Sequence, residues 1–186
     1  MIWNNHYYLA NKHAFMGASK FHWINYDSDK LIDAFIRHKS IELGTKWHEY
    51  AKMAIELGAK QPKSKKTICA YINDAIGFKM KPEQTLYYSD NCFGTADAIS
   101  FRNGLLRIHD LKTGTNPAHM EQLMVYAALF CLEYKMKPGA IKMELRIYQN
   151  DEVRIFEPTA EEILPIMSKI KQYSKLIDDV KKKAEE

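Results

Sequence analysis

The spacing of apolar residues predicts helices at both ends of the chain and one between its strands. A helical period of three to four residues recurs in five segments, and most of them follow a residue that commonly caps helices. Ser19, Ser64 and Asn116 are such caps, Asp27 and Ser28 offer a cap for the second helix, and Thr159 with Glu162 forms a capping-box pattern. The predicted helices are 19–26, 28–57, 65–76, 117–134 and 159 onward. Pro165 lies inside the last one, so a kink or a later start is expected there.

Other segments have the two-residue period of strands. They are 84–88, 94–102, 105–111, 141–148 and 152–156. Asn103-Gly104 separates two of them, and this dipeptide is a strong hairpin signal because both turn positions need a positive φ. The order of helices, three strands, a helix, two strands and a helix predicts an α+β fold. We expect a central, mostly antiparallel sheet with helices packed on it.

Length and composition suit an ordinary globular domain. The chain has 186 residues, of which 46% are apolar and 27% charged. We expect one domain over 1–186, with a helical part over about 1–78 and a sheet-containing part over about 79–186. Its apolar runs are too short to cross a bilayer, and Met1 to Asn5 do not resemble a signal peptide, so a cytoplasmic protein without membrane contact is expected. The net charge of +4 permits a polyanionic partner without requiring one.

The hairpin fixes a register that brings two acids together. If Arg102 pairs with Leu105, paired residues sum to 207, and Asp97 lies opposite Asp110. The same face carries Ile99 and other apolar residues, so it should be the core face, whereas Ala96 and Leu111 would lie on the other face. A bulge in either strand would break this register.

Two acids at the end of a buried face repel each other, and loss of water makes the repulsion worse. Such a pair is tolerated when a cation lies between the acids or when they share a proton. Lys112 points to the same side as Asp110, so the three residues suit a hard divalent ion, Mg²⁺ or Mn²⁺, beside a positioned lysine. A salt-bridge cluster at a strand end is the alternative.

Five short motifs occur in an order that resembles a known superfamily. Gly94-Thr95-Ala96-Asp97 followed by Asp110-Leu111-Lys112 is similar to the GxxD and (D/E)xK core of PD-(D/E)XK nucleases. The flanking motifs resemble its RecB-like branch, which includes phage exonucleases; they are Gly17 to Phe21, the GTxxH-like Gly44 to His48 and the QhxxY-like Gln122 to Tyr126. A lone DxK would be weak evidence, whereas the ordered set over residues 17–126 is specific.

The resemblance implies a restriction-endonuclease-like mixed sheet and a role for each matched residue. Asp97, Asp110 and His48 would bind the metal, and Lys112 would position or activate the attacking water. Gln122 and Tyr126 are one helical turn apart and would contact Lys112 or the DNA backbone. His48 and Tyr126 could instead be core residues. Glu83 precedes the first predicted strand, where the family often has an acid.

The implied function is a Mg²⁺- or Mn²⁺-dependent DNA exonuclease in phage or bacterial recombination, repair or DNA processing. Its partners would be single- or double-stranded DNA and, in such pathways, a recombinase or a single-strand-binding protein. The alternatives are a sequence- or structure-specific endonuclease of the same fold and a nucleic-acid-binding module without catalysis. Some relatives hold an iron–sulfur cluster on four cysteines; this chain has three, with no CxxC pair, so no cluster is expected.

Overall fold

The computed structural model describes residues 5–9, 12–114 and 116–185, and the chain divides into two compact units, Met1–Thr45 and Lys46–Glu186. The expectation about a signal peptide falls mainly on residues 1–4, outside the described part. The first unit contains two 3₁₀ segments, Tyr7–Leu9 and Ala18–Asn25, and the beginning of helix α1, Ser28–Glu56. Among the described residues, no helix combines the length and apolarity needed to cross a membrane.

Side-chain caps decide where α1 begins. Asp27 Oδ1 accepts a hydrogen bond of 2.8 Å from the Lys30 N–H, which satisfies one of the free donors at the start of the helix. The Asp27 cap is therefore confirmed, and α1 is continuous through its 29 residues. The predicted Ser19 cap is wrong, because the 3₁₀ segment begins at Ala18, after Gly17, without a side-chain cap.

The second unit is built on one sheet whose strand order follows the chain. The strands are β1 (Lys81–Ser89), β2 (Cys92–Arg102), β3 (Leu105–Leu111), β4 (Lys142–Gln149) and β5 (Glu152–Phe156). All neighbours are antiparallel except β3 and β4, which are parallel and connected through a helix. The remaining helices are α2 (Thr67–Gly77), α3 (Glu121–Glu133) and α4 (Ala160–Glu185). The predicted α+β class with a mostly antiparallel mixed sheet is confirmed.

The Asn103-Gly104 turn sets the β2–β3 register as predicted. Both residues have a positive φ, 50° and 74°, and paired residues sum to 207 from Arg102–Leu105 to Ala98–His109. The regular ladder stops there, one pair before Asp97 and Asp110.

Both faces of the sheet are buried, not one as expected. On one face, α3 and α4 contribute Leu123, Ala127 and Ile163 to a cluster with Ile99 and Ile108. On the other, the end of α1 and helix α2 pack on Ala98, Leu111 and Tyr148; the helix residues include Ala51, Ala54, Ile55, Ile72 and Ala75. The sheet is thus enclosed by two helical layers, and burial of each leucine or isoleucine stabilises it by about 1.5–3 kcal/mol.

Two predicted helix starts are wrong for physical reasons. Helix α3 begins at Glu121 and not after Pro117, because Gln149 binds the preceding backbone: its Nε2 donates to the Asn116 carbonyl at 2.7 Å, and its Oε1 accepts from the Ala118 N–H at 3.1 Å. Helix α2 begins at Thr67 because Ser64 Oγ accepts from the Lys66 N–H in a local turn.

Helix α4 begins where the capping-box pattern predicts. Glu162 Oε2 accepts from the Thr159 N–H at 2.8 Å, which forms the glutamate half of the box. The helix then continues through Pro165 to Glu185, so it has no later start after the proline.

Candidate active site

The regular pattern of β1 and β2 is interrupted where the candidate acids lie. Pro82 pairs with Ala98 and Gln84 with Ala96, but Glu83 lies between them with a φ of 49°. Strict alternation would put Ala96 and Ile99 on opposite faces, yet both belong to the core cluster under α3 and α4. The predicted placement of Ala96 on the other face is therefore wrong.

Glu83 has a backbone conformation that is unusual for a residue other than glycine inside a strand. A residue other than glycine in the left-handed region costs on the order of 1–2 kcal/mol, and such strain is often found at functional sites. Here it accompanies a break in strand alternation at Asp97. Regular pairing resumes on both sides of Glu83 and Asp97, whereas Asp110 stays in the β3–β4 ladder opposite Ile147.

Three potential metal ligands come together at this interruption. His48 Nδ1 from α1 lies 3.5 Å from Asp97 Oδ2 of β2, and one ligand atom each of His48, Glu83 and Asp97 lies within 4.8 Å of the others. Ligands on opposite sides of one ion are about 4.2–4.6 Å apart when each is 2.1–2.3 Å from it. The group therefore needs only small side-chain adjustments to enclose an ion.

Asp110 supplies a third acid and a fourth potential ligand, and one of its oxygens has no partner among the described residues. The residue is 2% exposed, and its Oδ1 accepts a hydrogen bond of 3.1 Å from Lys112 Nζ. Among the described residues, nothing bonds to the buried Oδ2. A buried carboxylate oxygen without a partner is costly, and a cation is one group that would satisfy it.

The electrostatics of the two aspartates agree with the repulsion inferred from the hairpin. Burial raises the pKa of Asp97 to about 6, with further elevation from the nearby Asp110 carboxylate. His48 and the 2.8 Å hydrogen bond from the Leu111 N–H act in the opposite direction. Burial also raises the pKa of Asp110, whereas Lys112 lowers it. Asp97 and Asp110 are therefore unfavourable when both are ionised, unless further positive charge compensates them.

Lys112 is held between Asp110 and a pair of α3 side chains. Its Nζ donates to Gln122 Oε1 at 3.0 Å, and Gln122 Nε2 donates to Tyr126 Oη at 3.3 Å. Because the amide nitrogen is directed to the phenol, the amide oxygen faces the lysine. The structure thus brings together all the site residues named from the sequence: His48, Asp97, Asp110, Lys112, Gln122 and Tyr126.

Gly94 has a steric role that its motif alone does not explain. A Cβ at this position would lie 2.9 Å from Tyr126 Cε1, closer than carbon atoms normally approach. The absence of a side chain therefore lets the Tyr126 ring pack directly against β2.

Two further residues belong to the site. Glu83 lies inside β1 and not before the first strand, and it is one of the three clustered ligands. Tyr71 of α2 is buried, and its pKa is raised mainly by burial and then by Asp97, Glu83 and Asp110. Its phenol is thus near the acids. No pattern in the sequence indicates Tyr71 as a site residue, because an aromatic residue in an apolar helix suits any core.

A protein-family model described as "Protein of unknown function (DUF2800)" matches residues 36–186, and the chain belongs to this family. No curated protein and no solved structure matches the chain.

Proposed function

We propose that this member of the DUF2800 family is a divalent-metal-dependent DNA nuclease with a PD-(D/E)XK core. The observation that carries the proposal is the unpartnered Asp110 Oδ2, buried beside Lys112 in a site shared with Asp97. In a salt-bridge cluster, the alternative interpretation of these residues, both oxygens of a carboxylate buried this deeply are expected to have donors. The resemblance to PD-(D/E)XK nucleases rests on the five ordered motifs. The fold class alone would not specify a function.

The donor set fits Mg²⁺ or Mn²⁺. Asp97, Asp110 and Glu83 offer hard carboxylate oxygens, and His48 offers a nitrogen that Mn²⁺ accepts more readily than Mg²⁺. When bound, the cation would neutralise charge on the phosphate and make a water more acidic.

Lys112 is arranged to act on the attacking water or on a phosphate oxygen. An ammonium group has three donors, and the bonds to Asp110 and Gln122 use two of them. Among the described residues, no other acceptor contacts Lys112 Nζ, so the third donor is available to a group that enters the site. Asp110 and Gln122 thereby fix the position of the Lys112 ammonium, and Tyr126 fixes the orientation of Gln122.

Exonuclease action is the form that the flanking motifs favour. Gly17 to Phe21, Gly44 to His48 and Gln122 to Tyr126 resemble RecB-like exonucleases more than restriction enzymes. We therefore propose that the substrate is a DNA end and that the pathway is recombination, repair or DNA processing, including in phages.

The test compares end-labelled linear DNA with covalently closed circles, each incubated with Mg²⁺, Mn²⁺ or EDTA. Linear DNA should shorten progressively with either metal and stay intact in EDTA, and closed circles should persist. Lys112→Ala should be inactive, whereas Lys175→Ala, an exposed lysine of α4, should behave as wild type.

Two results would overturn parts of the proposal. No metal-dependent cleavage of any DNA would reject the nuclease function. Rapid cutting of closed circles at defined positions, with little product released from ends, would replace exonuclease by endonuclease action and leave the site assignment unchanged.

A further inference from the structure

A second charged region lies at the other end of β2 and β3. A groove of about 860 Å³ is lined there by the β2–β3 turn, the end of α2 and the start of β4. Four of its lining residues are cationic, and none is acidic; they are Lys79, Arg102, Arg107 and Lys142. The groove and the acidic site share the strands β2 and β3 but no residue.

The strand register shows how these cations are arranged. Arg102 pairs with Leu105, and Leu105 pairs with Lys142, so one row crosses three adjacent strands. Its two cationic residues are two strand spacings apart, about 9.6 Å. Arg107 lies two residues further along β3. The positive charge is thus spread along the groove and not concentrated at one point.

Contacts within the protein fix the Arg107 side chain before any ligand binds. Its Nε donates to Glu144 Oε1 at 3.0 Å, and its guanidinium carbon lies 4.2 Å from the centre of the Phe78 ring. Among the described residues, its two terminal nitrogens have no hydrogen-bond partner. An arginine fixed by Nε and by stacking keeps a free pair of donors, which matches the oxygens of a phosphate.

The lining favours phosphates over a nucleobase. Phe78 is the aromatic residue of the groove, and both Arg107 and Arg146 already lie over its ring. A base would therefore lack a free ring on which to stack, whereas phosphates would meet cations along the groove. A polymer with repeated phosphates satisfies more of these cations than a single nucleotide does.

We infer that this groove binds the phosphodiester backbone of a nucleic acid, as a second contact remote from the acidic site. The choice of a nucleic acid as the polyanion rests on the proposed function. Five residue steps along β3 separate Leu105 from Asp110, about 17 Å, which corresponds to about five nucleotides of a duplex strand. Substrates longer than this reach both regions, and shorter ones reach only one.

The test uses Arg102→Gln/Lys142→Gln, which removes two exposed charges and keeps long polar side chains. The matched control is Lys171→Gln/Lys175→Gln on α4. Binding of a 30-base-pair duplex in EDTA is followed by fluorescence anisotropy at several salt concentrations. The groove variant should bind roughly tenfold or more weakly at 0.1 M salt, and its slope of log K against log salt should be shallower by about 1.8. Equal affinity and slope in both variants would overturn the inference.

Substrate length provides a second readout. With the 30-base-pair duplex and Mn²⁺, the groove variant should show a raised KM and an unchanged kcat. With a three-nucleotide substrate, both parameters should equal those of wild type. A kcat loss on both substrates would mean that the groove acts through the active-site structure and would contradict a separate contact.

Failure of the inference and failure of the proposed function are distinguishable. If the groove variant binds DNA weakly but wild type shows no metal-dependent cleavage, the groove inference stands and the nuclease function is rejected. If wild type cleaves DNA normally but the groove variant binds as tightly as wild type, the nuclease function stands and the groove inference is rejected. Titration calorimetry with ADP separates the two phosphate sources: ADP binding lost in the groove variant, with duplex binding unchanged, would overturn the polymer assignment.

Discussion

Asp110→Asn should stabilise the metal-free protein at pH 8. The wild-type site contains an Asp97 carboxyl whose pKa rises from its ordinary 3.8 to about 6, with burial as the first cause and Asp110 as the second. A raised acid pKa means that folding is favoured below pH 3.8 and that this contribution is lost as the pH rises through 6. The difference corresponds to about 3 kcal/mol at pH 8.

Asp110→Asn removes only part of the free-energy cost of ionising Asp97 in the folded protein. Burial of Asp97 persists in the variant, whereas repulsion from Asp110 and the unpartnered Asp110 Oδ2 are removed. Loss of the ion pair with Lys112, whose side chain is 31% exposed, acts in the opposite direction. We expect a net gain of about 1 kcal/mol, which raises Tm by about 2–4 °C for a chain of this length. The gain should diminish as the pH falls through about 6, where Asp97 becomes protonated.

Thermal unfolding in EDTA and in Mn²⁺ measures both consequences. Wild type at an ion concentration 100-fold above Kd should gain about 2.7 kcal/mol, whereas the variant, with a ligand lost, should gain clearly less. Asp179→Asn, an exposed acid of α4, is the control and should change neither result. A variant that is less stable than wild type in EDTA at pH 8 would refute the reasoning, because Asp110 would then be a structural partner of Lys112.

Three further substitutions test separate parts of the structure. Lys112→Ala should abolish cleavage in a nuclease assay. Duplex binding, measured by fluorescence anisotropy, should stay within about threefold of wild type, because one charge among many phosphate contacts changes affinity little. Glu83→Gln should weaken Mn²⁺ binding measured by calorimetry, because an anionic ligand is lost. Glu56→Gln on the exposed face of α1 is the control and should bind Mn²⁺ as wild type does. Equal Mn²⁺ affinities of Glu83→Gln and wild type would show that Glu83 is not a metal ligand. Burial lowers the pKa of His109 from 6.5 to about 3, so stability is lost as the pH falls below 6.5, by about 2 kcal/mol at pH 5. His109→Gln should remove this part of the pH dependence in urea unfolding, and an unchanged slope would show that His109 is protonated in the folded protein.

Local signals explain why the sheet was predictable. The Asn103-Gly104 turn sets a register by itself, and the residues that alternate around it are close in sequence. The same register predicts that Asp97 lies near Asp110, and the higher pKa that the Asp110 charge gives Asp97 agrees with it. Thr159 with Glu162 likewise fixes the start of α4 within four residues.

Distant interactions explain what was missed. The start of α3 depends on Gln149, whose amide holds the backbone at Ala118 and Asn116, 31 and 33 positions earlier in the chain. The second buried face depends on α1 and α2 packing over Ala98 and Leu111. Glu83 enters the site through a positive φ inside a strand, a conformation that no propensity of glutamate indicates.

Gly94→Ala provides a test of how the β2 backbone controls Lys112. The new Cβ would lie 2.9 Å from Tyr126 Cε1 and 3.7 Å from its Oη, so the ring must move by about 0.6–1 Å to restore normal contact. Since Tyr126 Oη accepts from Gln122, and Gln122 accepts from Lys112, this displacement should reach the lysine. We expect a lower kcat with a nearly unchanged KM, and a stability loss of about 1–3 kcal/mol.

A double-mutant cycle separates this steric effect from a general effect of alanine in the strand. In a Tyr126→Leu background the ring is absent, so adding Gly94→Ala should cost little further activity or stability. In a Tyr126→Phe background the ring remains without its hydroxyl, so Gly94→Ala should still cost stability, whereas its effect on kcat should be smaller because the bond to Gln122 is already lost. The coupling energy for stability should therefore be large in the leucine cycle and near zero in the phenylalanine cycle. Equal costs of Gly94→Ala in all three backgrounds would show that Gly94 is needed for the conformation of β2 itself and not for the approach of Tyr126.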